Sequence, residues 1–256
     1  MRRLRRWKTR ESVTSGYPPS ASEAASTVFL TSPSRIPRAS AIIQNVRRLI
    51  LEPDQSIAPQ LSLAVDEIAR GAIVAFPTDT FYGLAADPRS TAAIAGLLAL
   101  KGRDAGKTIA LIAADREQVD AVVALTRAAS RLAERFWPGP LTLVCAARRV
   151  LAAAVVGPSG GVGVRVPAHD VARALAAACG HAITATSANR SGEAPTADPD
   201  VVARELSEVA VVIDAGPSPG GPASTVVDLT GAAPALLRAG AISWQQILDT
   251  LLDSAT

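Results

Sequence analysis

The spacing of apolar residues predicts helices that alternate with short buried strands. Apolar positions three and four residues apart predict helices over 61–70, 91–100, 127–136, 168–179 and 243–252. A capping pattern of Asp115 with Gln118 predicts one more helix after residue 115. Short apolar runs predict strands over 72–76, 108–113, 141–146, 163–166, 182–186, 209–213 and 225–229. This interleaving indicates an α/β fold with a mixed sheet and helices packed on it.

Composition and charge narrow the class of protein. Of 256 residues, 48% are apolar and 19% charged, which excludes a wholly disordered chain. No apolar run approaches the roughly 18 residues of a membrane span, so we expect a soluble protein without a membrane partner. Residues 1–50 carry ten Lys/Arg and two Asp/Glu, net +8, whereas residues 51–256 carry sixteen and twenty-one, net −5. The acidic body argues against a generally basic nucleic-acid-binding protein.

The change in net charge between residues 1–50 and 51–256 also indicates a domain boundary. We predict a disordered basic extension over 1–50 and a folded domain over 51–256. The extension lacks the apolar stretch of a secretory signal, although its Arg- and Ser-rich composition resembles a transit peptide. An arm that touches RNA and sequence upstream of a mis-assigned start stay open as alternatives. Cys145 and Cys179 belong to no zinc-binding pattern, so we expect free thiols in a reducing cytoplasm.

Two catalytic motifs fail because of their context. Residues 102–108 resemble a phosphate-binding loop, but the glycines stand one residue too close and a helix precedes the segment where a strand is needed. Ser159 matches G-x-S-x-G, and Asp170 and His181 follow in the order of an α/β-hydrolase. A strand-like segment follows this serine, however, whereas a nucleophile elbow requires a helix.

Cationic residues give a stronger signal. The chain has 23 arginines and three lysines, and the two lysines of the predicted domain, Lys101 and Lys107, flank Arg103. Ammonium groups beside a guanidinium are typical of phosphate sites, although a solvated helix end would also favour cations. Arg165 stands among apolar residues of a predicted strand. A buried arginine needs an anion or a dense set of acceptors.

Two polar loops follow predicted buried strands, where α/β proteins place ligands. The first, 76–83, carries two hydroxyls, a carboxylate and a phenol, and the second, 184–192, carries Ser187 and Asn189. Each loop has an alternative interpretation as a structural turn. With the cations, they offer no evident nucleophile, redox group or metal cage. This set predicts binding and orientation of an anionic, phosphate-bearing substrate.

Seven segments, in this order, resemble the YrdC/Sua5 family, the threonylcarbamoyl-AMP synthases. They are PTDTFYGL (77–84), LKGRDAGKTIALI (100–112), WPGPLTLV (137–144), GVRVP (163–167), TSANRSGEAPT (186–196), ASTVVDL (223–229) and LLRAGAI (236–242). The resemblance implies a twisted mixed open sheet around a large concave, positively charged cavity. It implies a nucleotidyltransferase that forms L-threonylcarbamoyladenylate and pyrophosphate from L-threonine, bicarbonate or CO2, and ATP with Mg²⁺. The product would feed the t6A modification of adenosine 37 in tRNA.

The resemblance also implies roles for single residues. Lys101 and Arg103 would be catalytic and would stabilise charge on the phosphates. The residues implied for ATP binding are Arg103, Lys107, Asn189, Thr196 and Arg238. The residues implied for threonine binding are Thr80, Tyr82, Arg165, Ser187 and Ser224. Arg165 would pair with the threonine carboxylate, and no protein ligand to a metal is implied.

Two positions depart from the family pattern. Thr108-Ile109 replaces the usual Pro-Leu, and Ile112 stands where some members have a histidine near threonine. We expect the short form of the family, which passes its adenylate to a separate threonylcarbamoyl-transferase complex, with tRNA as a further partner. Two alternatives are a non-catalytic relative that binds double-stranded RNA or tRNA and a carbamoyl-transfer maturation factor. The acidic body argues against the first, and the lack of zinc-finger and acylphosphatase segments against the second.

Overall fold

The computed structural model describes residues 46–102, 108–148 and 151–252. Within these ranges the helices are α1 Ile57–Gln60, α2 Ser62–Ala69, α3 Thr91–Lys101, α4 Arg116–Val122, α5 Arg127–Phe136, α6 Asp170–Cys179, α7 Pro199–Glu205 and α8 Trp244–Leu252. The strands are β1 Arg47–Ile50, β2 Val74–Phe76, β3 Gly83–Ala85, β4 Leu111–Ile112, β5 Val123–Ala124, β6 Leu141–Ala147, β7 Gly161–Arg165, β8 Ile183–Thr184, β9 Thr186–Ser187, β10 Val211–Asp214, β11 Thr225–Asp228 and β12 Ala235–Arg238.

The strands form two mixed sheets. The first has the order β1-β10-β2-β3-β9, with β1, β10 and β2 parallel and the other pairs antiparallel. The second has the order β12-β11-β6-β7-β4-β8, and β5 also pairs with β6. The predicted α/β class with a mixed sheet is confirmed. The division into two sheets was not predicted, because strand pairing is non-local and apolar runs do not specify it.

Aliphatic side chains hold the helices on the sheets. Ile68 of α2 and Leu175 of α6 are at most 1% exposed and pack with Phe76 of β2 in one core cluster. A second cluster includes Leu132 of α5 and Leu143 of β6, which are fully buried. Each such side chain contributes about 1.5–3 kcal/mol relative to an exposed one.

Local sequence patterns predicted most helices close to their observed bounds. Helix α5 has the predicted bounds, because Thr126 accepts a hydrogen bond from the amide of Ala129 and so caps its start. Asp115 caps α4 in the same way by accepting from the amide of Gln118. The elements that were not predicted are β1, α1, β3, β5, α7 and β12. Strand β12 is exposed along its length, so it has no buried apolar run to reveal it.

The predicted extension over 1–50 needs a correction at its end. Strand β1 lies within that range and pairs in parallel with β10. Arg48 strengthens this pairing, because its Nε donates to Asp214 at 2.6 Å. The folded domain therefore includes Arg47–Ile50, and residues 1–45 lie outside the described ranges.

The two cysteines are free thiols, as predicted. Burial raises the pKa of Cys145 to about 12 and that of Cys179 to about 11. Both thiols are therefore protonated at neutral pH and are poor nucleophiles. Among the described residues, no helix is both long and apolar enough to cross a membrane.

Candidate active site

A cavity of about 670 Å³ lies over one face of the second sheet. Its floor is a row of residues from neighbouring strands: Ile112 pairs with Arg165, Thr142 pairs with Val226, and Val226 pairs with Arg238. Strands β6 and β7 are antiparallel neighbours, so Thr142 lies beside Arg165 and joins the two halves of the row. The apolar Ile112 thus lies next to the arginine of β7. A volume in this range fits a small-molecule substrate.

The two polar loops predicted from the sequence form the wall of this cavity. Thr78 and Thr80 line it from the first loop, and Ser187 and Asn189 line it from the second. The first loop begins where β2 of the first sheet ends, and the second loop begins where β8 of the second sheet ends. The sequence therefore identified the correct strand ends.

The charged side chains in the described part of the cavity wall are all cationic. Among the described residues, three cations line the cavity, namely Lys101, Arg165 and Arg238, and no Asp or Glu does. Arg103 and Lys107, which were also predicted as site residues, lie outside the described ranges. A concave wall with cations and no carboxylates concentrates anions.

Lys101 ends α3 and is only 4% exposed. Its Nζ donates to the carbonyl oxygens of Ser187 at 2.6 Å and Asn189 at 2.8 Å. A third hydrogen bond reaches Asn189 Oδ1 at 3.3 Å. These acceptors offset the cost of burying an ammonium group. Lys101 therefore has a structural contact with the second loop in addition to its place in the cavity wall.

Asn189 is fixed by its own loop. Its Oδ1 accepts from the hydroxyl of Ser187, and its Nδ2 donates to the carbonyl oxygens of Arg190 at 2.9 Å and Glu193 at 2.7 Å. Each polar atom of the Asn189 side chain thus has a partner within the protein. The arrangement pre-organises the loop before any ligand binds.

The same loop is tied to the end of α3. Arg190 donates from Nη1 to the carbonyl oxygen of Leu100 at 3.0 Å and from Nη2 to Glu208 at 2.8 Å. The amide of Ser191 donates to the carbonyl oxygen of Lys101 at 2.9 Å. These bonds satisfy carbonyl groups that a helix leaves open at its C-terminus. The bonds to the Leu100 and Lys101 carbonyl oxygens hold the second loop against the end of α3.

Arg165 is 7% exposed and has two protein partners. Its Nε donates to the carbonyl oxygen of Gly139 at 2.9 Å, and its Nη2 donates to Asp79 Oδ1. Burial lowers the pKa of Arg165, whereas the charge of Asp79 opposes that shift. The sequence predicted an anion or a dense set of acceptors for this arginine but did not single out Asp79, the carboxylate of the first loop.

Ser224 and Arg238 form a connected polar group with Thr142. Arg238 donates from Nη2 to Ser224 Oγ and to the Ser224 carbonyl oxygen, both at 2.7 Å. The hydroxyls of Ser224 and Thr142 lie 3.1 Å apart, and both residues are buried. Sequence reasoning missed Thr142, although a threonine inside the apolar run of β6 is a usable signal.

Thr80 and Tyr82 differ in how they meet the cavity. The hydroxyl of Thr80 lies 3.2 Å from that of Thr78, and both threonines line the wall. Tyr82 is fully buried, and its hydroxyl donates to the carbonyl oxygen of Gly216 at 2.8 Å. Burial raises the pKa of Tyr82, so the phenol stays neutral. Tyr82 lines the cavity as a fully buried residue, and its role in threonine binding stays a prediction.

Thr196 is the one described site residue that does not line the cavity. Its Oγ1 accepts from the amide of Asp198 at 3.1 Å, and its carbonyl oxygen accepts from the amide of Tyr82 at 2.9 Å. Its neighbour Pro195 does line the wall. The role of Thr196 in nucleotide binding stays a prediction.

Close backbone packing at Gly240 sets the position of β12. A Cβ atom there would lie 2.2 Å from the carbonyl oxygen of Ala223 and 2.5 Å from the nitrogen of Thr225. We expect Gly240→Ala to lower the free energy of unfolding by about 1–3 kcal/mol, as overpacking does, and to displace Arg238. Gly231→Ala is the control, since its nearest contact would be an ordinary 3.7 Å. Equal unfolding midpoints of the two variants in urea would contradict this account.

The comparison with known families agrees with the sequence resemblance. The Sua5/YciO/YrdC family model, which carries the description "Telomere recombination", matches residues 66–240. The chain belongs to this family. The predicted membership is thus confirmed.

Two relatives illustrate the likeness. Threonylcarbamoyl-AMP synthase of Pyrococcus abyssi is 37% identical over 208 residues, which are 80% of this chain and 59% of that protein. Threonylcarbamoyl-AMP synthase of Chromohalobacter salexigens is 37% identical over 179 residues, which are 68% of this chain and 95% of that protein. The chain therefore spans less than two thirds of the first relative and nearly all of the second.

Solved structures show the same fold. The crystal structure of P. abyssi Sua5 complexed with L-threonine matches with a TM-score of 0.73 and 33% identity, over 80% of this chain and 60% of that one. The structure of E. coli YciO matches with a TM-score of 0.71 over 78% of this chain and 98% of that one. At 22% identity, YciO shows the fold alone.

Proposed function

We propose that this chain is an L-threonylcarbamoyladenylate synthase, a nucleotidyltransferase that joins L-threonine, bicarbonate or CO2, and ATP. The observation that carries the proposal is the cavity of about 670 Å³ lined by three cations and no described carboxylate. Relatives at 37% identity bear the name threonylcarbamoyl-AMP synthase, and a related structure holds L-threonine. An enzyme of this activity must bring together at least two substrates that carry anionic groups, the carboxylate of threonine and the triphosphate of ATP. The charge of the wall suits that task.

The chemistry consists of two bond-forming steps. The amine of threonine attacks the carbon of CO2 and loses a proton, which gives an N-carboxylate. An oxygen of this carboxylate attacks the α-phosphorus of ATP, and pyrophosphate leaves with the electrons of the broken P–O bond. The protein contributes mainly by holding the reactants in line and stabilising negative charge on phosphorus.

We propose that some site residues bind threonine and others bind ATP. Arg165 would pair with the threonine carboxylate, for which a guanidinium is suited. Lys101 would stabilise charge on the phosphates from the end of α3. Residues proposed further for threonine are Thr80, Tyr82, Ser187 and Ser224, and for ATP Arg103, Lys107, Asn189, Thr196 and Arg238.

Magnesium would enter with ATP as part of the substrate. Mg²⁺ prefers carboxylate, phosphate and water oxygens. The described part of the cavity wall offers hydroxyls, amides and cations but no carboxylate. We therefore propose that phosphate and water oxygens, rather than described side chains, complete the coordination of Mg²⁺.

The product defines the partners. A mixed anhydride of a carbamate and a phosphate is reactive, so we propose that a threonylcarbamoyl-transferase complex consumes it to make t6A in tRNA. The free thiols Cys145 and Cys179 fit a reducing cytoplasm, which we propose as the location.

The test is pyrophosphate release by the full chain with Mg-ATP, leaving out threonine and bicarbonate in turn. We expect release to require both, and mass spectrometry to detect a threonine-containing adenylate. L-Valine, which replaces the hydroxyl of threonine with a methyl group, is the matched control substrate. Release without threonine, or no release by folded protein that binds ATP, would contradict the proposal. Salt-sensitive RNA binding without release would instead support the RNA-binding alternative.

A further inference from the structure

The geometry of the contact between Asp79 and Arg165 indicates that Asp79 does more than neutralise the charge of Arg165. Arg165 lines the cavity, whereas Asp79 does not. Their side chains are 9% and 15% exposed, so the ion pair is largely removed from water. Asp79 therefore meets the guanidinium from outside the cavity wall.

The described hydrogen-bond acceptors of Arg165 lie along only one edge of its guanidinium. Nε donates to the Gly139 carbonyl oxygen and Nη2 donates to Asp79, and these two nitrogens share one edge of the planar group. Among the described residues, Nη1 has no hydrogen-bond acceptor. The Nη1–Nη2 edge is therefore the one left for a bidentate contact with a carboxylate.

Two fixed contacts also remove the rotational freedom of a long side chain. An arginine held by the Gly139 carbonyl alone could still rotate about that single hydrogen bond. The second contact, to Asp79, fixes the plane of the guanidinium. Arg238 also lies close enough for its charge to lower the pKa of Arg165.

We propose that Asp79 is a positioning residue, which fixes the guanidinium of Arg165 so that its outer edge binds the carboxylate of the amino-acid substrate. The inference rests on the proposed function, in which that substrate is L-threonine. Asp79 itself does not touch the reacting atoms. Its effect should therefore appear in threonine binding and not in the chemical step.

The test compares Asp79→Ala with Asp79→Asn. We expect Asp79→Ala to raise the KM for L-threonine roughly tenfold, with the KM for ATP and kcat nearly unchanged. The variant loses the charge-assisted hydrogen bond that orients Arg165, and Arg165 is proposed to contact threonine and not ATP. Asp79→Asn keeps an oxygen acceptor for Nη2 and should recover most of the threonine affinity. In an Arg165→Met background, Asp79→Ala should have no further effect on the KM for threonine.

The matched control is Asp87→Ala. Asp87 also pairs with an arginine, Arg89, and its side chain is 16% exposed, yet neither residue lines the cavity. Asp87→Ala should leave the KM for threonine unchanged. An equal rise in both KM values with a lower Tm would show a merely structural role for Asp79 and overturn the inference.

A second readout separates this inference from the proposed function. Calorimetric titration of L-threonine into wild type and Asp79→Ala needs no turnover. Absence of pyrophosphate release by the wild type counts against the proposed function alone. Equal threonine affinity of the two proteins, or tighter binding by Asp79→Ala, overturns the role of Asp79.

Discussion

Lys101→Met is expected to lower kcat about a hundredfold or more, since loss of one group that stabilises transition-state charge typically costs this much. Methionine replaces the apolar stem of lysine with one of similar length and removes the ammonium. The variant should also lose stability, because Nζ donates to the Ser187 and Asn189 carbonyl oxygens. The Asn189 carbonyl oxygen would lose its Lys101 donor, at a cost of about 1–3 kcal/mol, whereas the Ser187 carbonyl oxygen still accepts from the amide of Asn189. Pyrophosphate release and thermal unfolding measure the two effects separately.

Arg190→Met is the matched control for Lys101→Met. Arg190 ties the same loop to α3 through the Leu100 carbonyl oxygen, but it does not line the cavity. This variant should lower Tm while kcat changes far less than in Lys101→Met. If Arg190→Met loses as much turnover at equal stability, the role of Lys101 is to hold the loop and not to stabilise charge.

Lys101 shows which part of a residue's role can be predicted from the sequence. Its rarity in a lysine-poor chain placed it at the site, and it does line the cavity. Its hydrogen-bond acceptors, however, are main-chain carbonyls, which every residue type carries. No residue pattern could therefore disclose the structural part of its role.

Arg165 shows that the partner of a side chain is also difficult to predict from the sequence. The sequence required an anion or a dense set of acceptors near it, because an isolated buried cation is costly. The anion is Asp79, which is 86 positions away along the chain. Helix α5, by contrast, was predicted to the residue, because its cap and its apolar spacing are local. Local patterns specified elements and strand ends, whereas pairing across the fold did not follow from them.

Arg165→Met is expected to raise the KM for L-threonine about a hundredfold, because a charge-assisted bidentate contact is lost. The KM for ATP should stay nearly constant, since Arg165 is proposed to face the amino acid alone. Stability should fall by about 3–5 kcal/mol, the usual cost of leaving one partner of a buried ion pair without its counter-ion. Steady-state kinetics with each substrate varied in turn, together with urea unfolding, measure these changes.

The double variant Arg165→Met/Asp79→Asn separates recognition from stability. The amide carries no charge, so it should regain part of the stability that Arg165→Met loses by leaving the Asp79 carboxylate unpaired. It restores no cation, so the KM for threonine should remain high. Arg89→Met, which breaks the Arg89–Asp87 ion pair away from the cavity, should leave that KM unchanged. If the double variant recovered threonine affinity along with stability, the effect of Arg165→Met on binding would be a consequence of a loosened fold, and Arg165 would have no direct contact with the substrate.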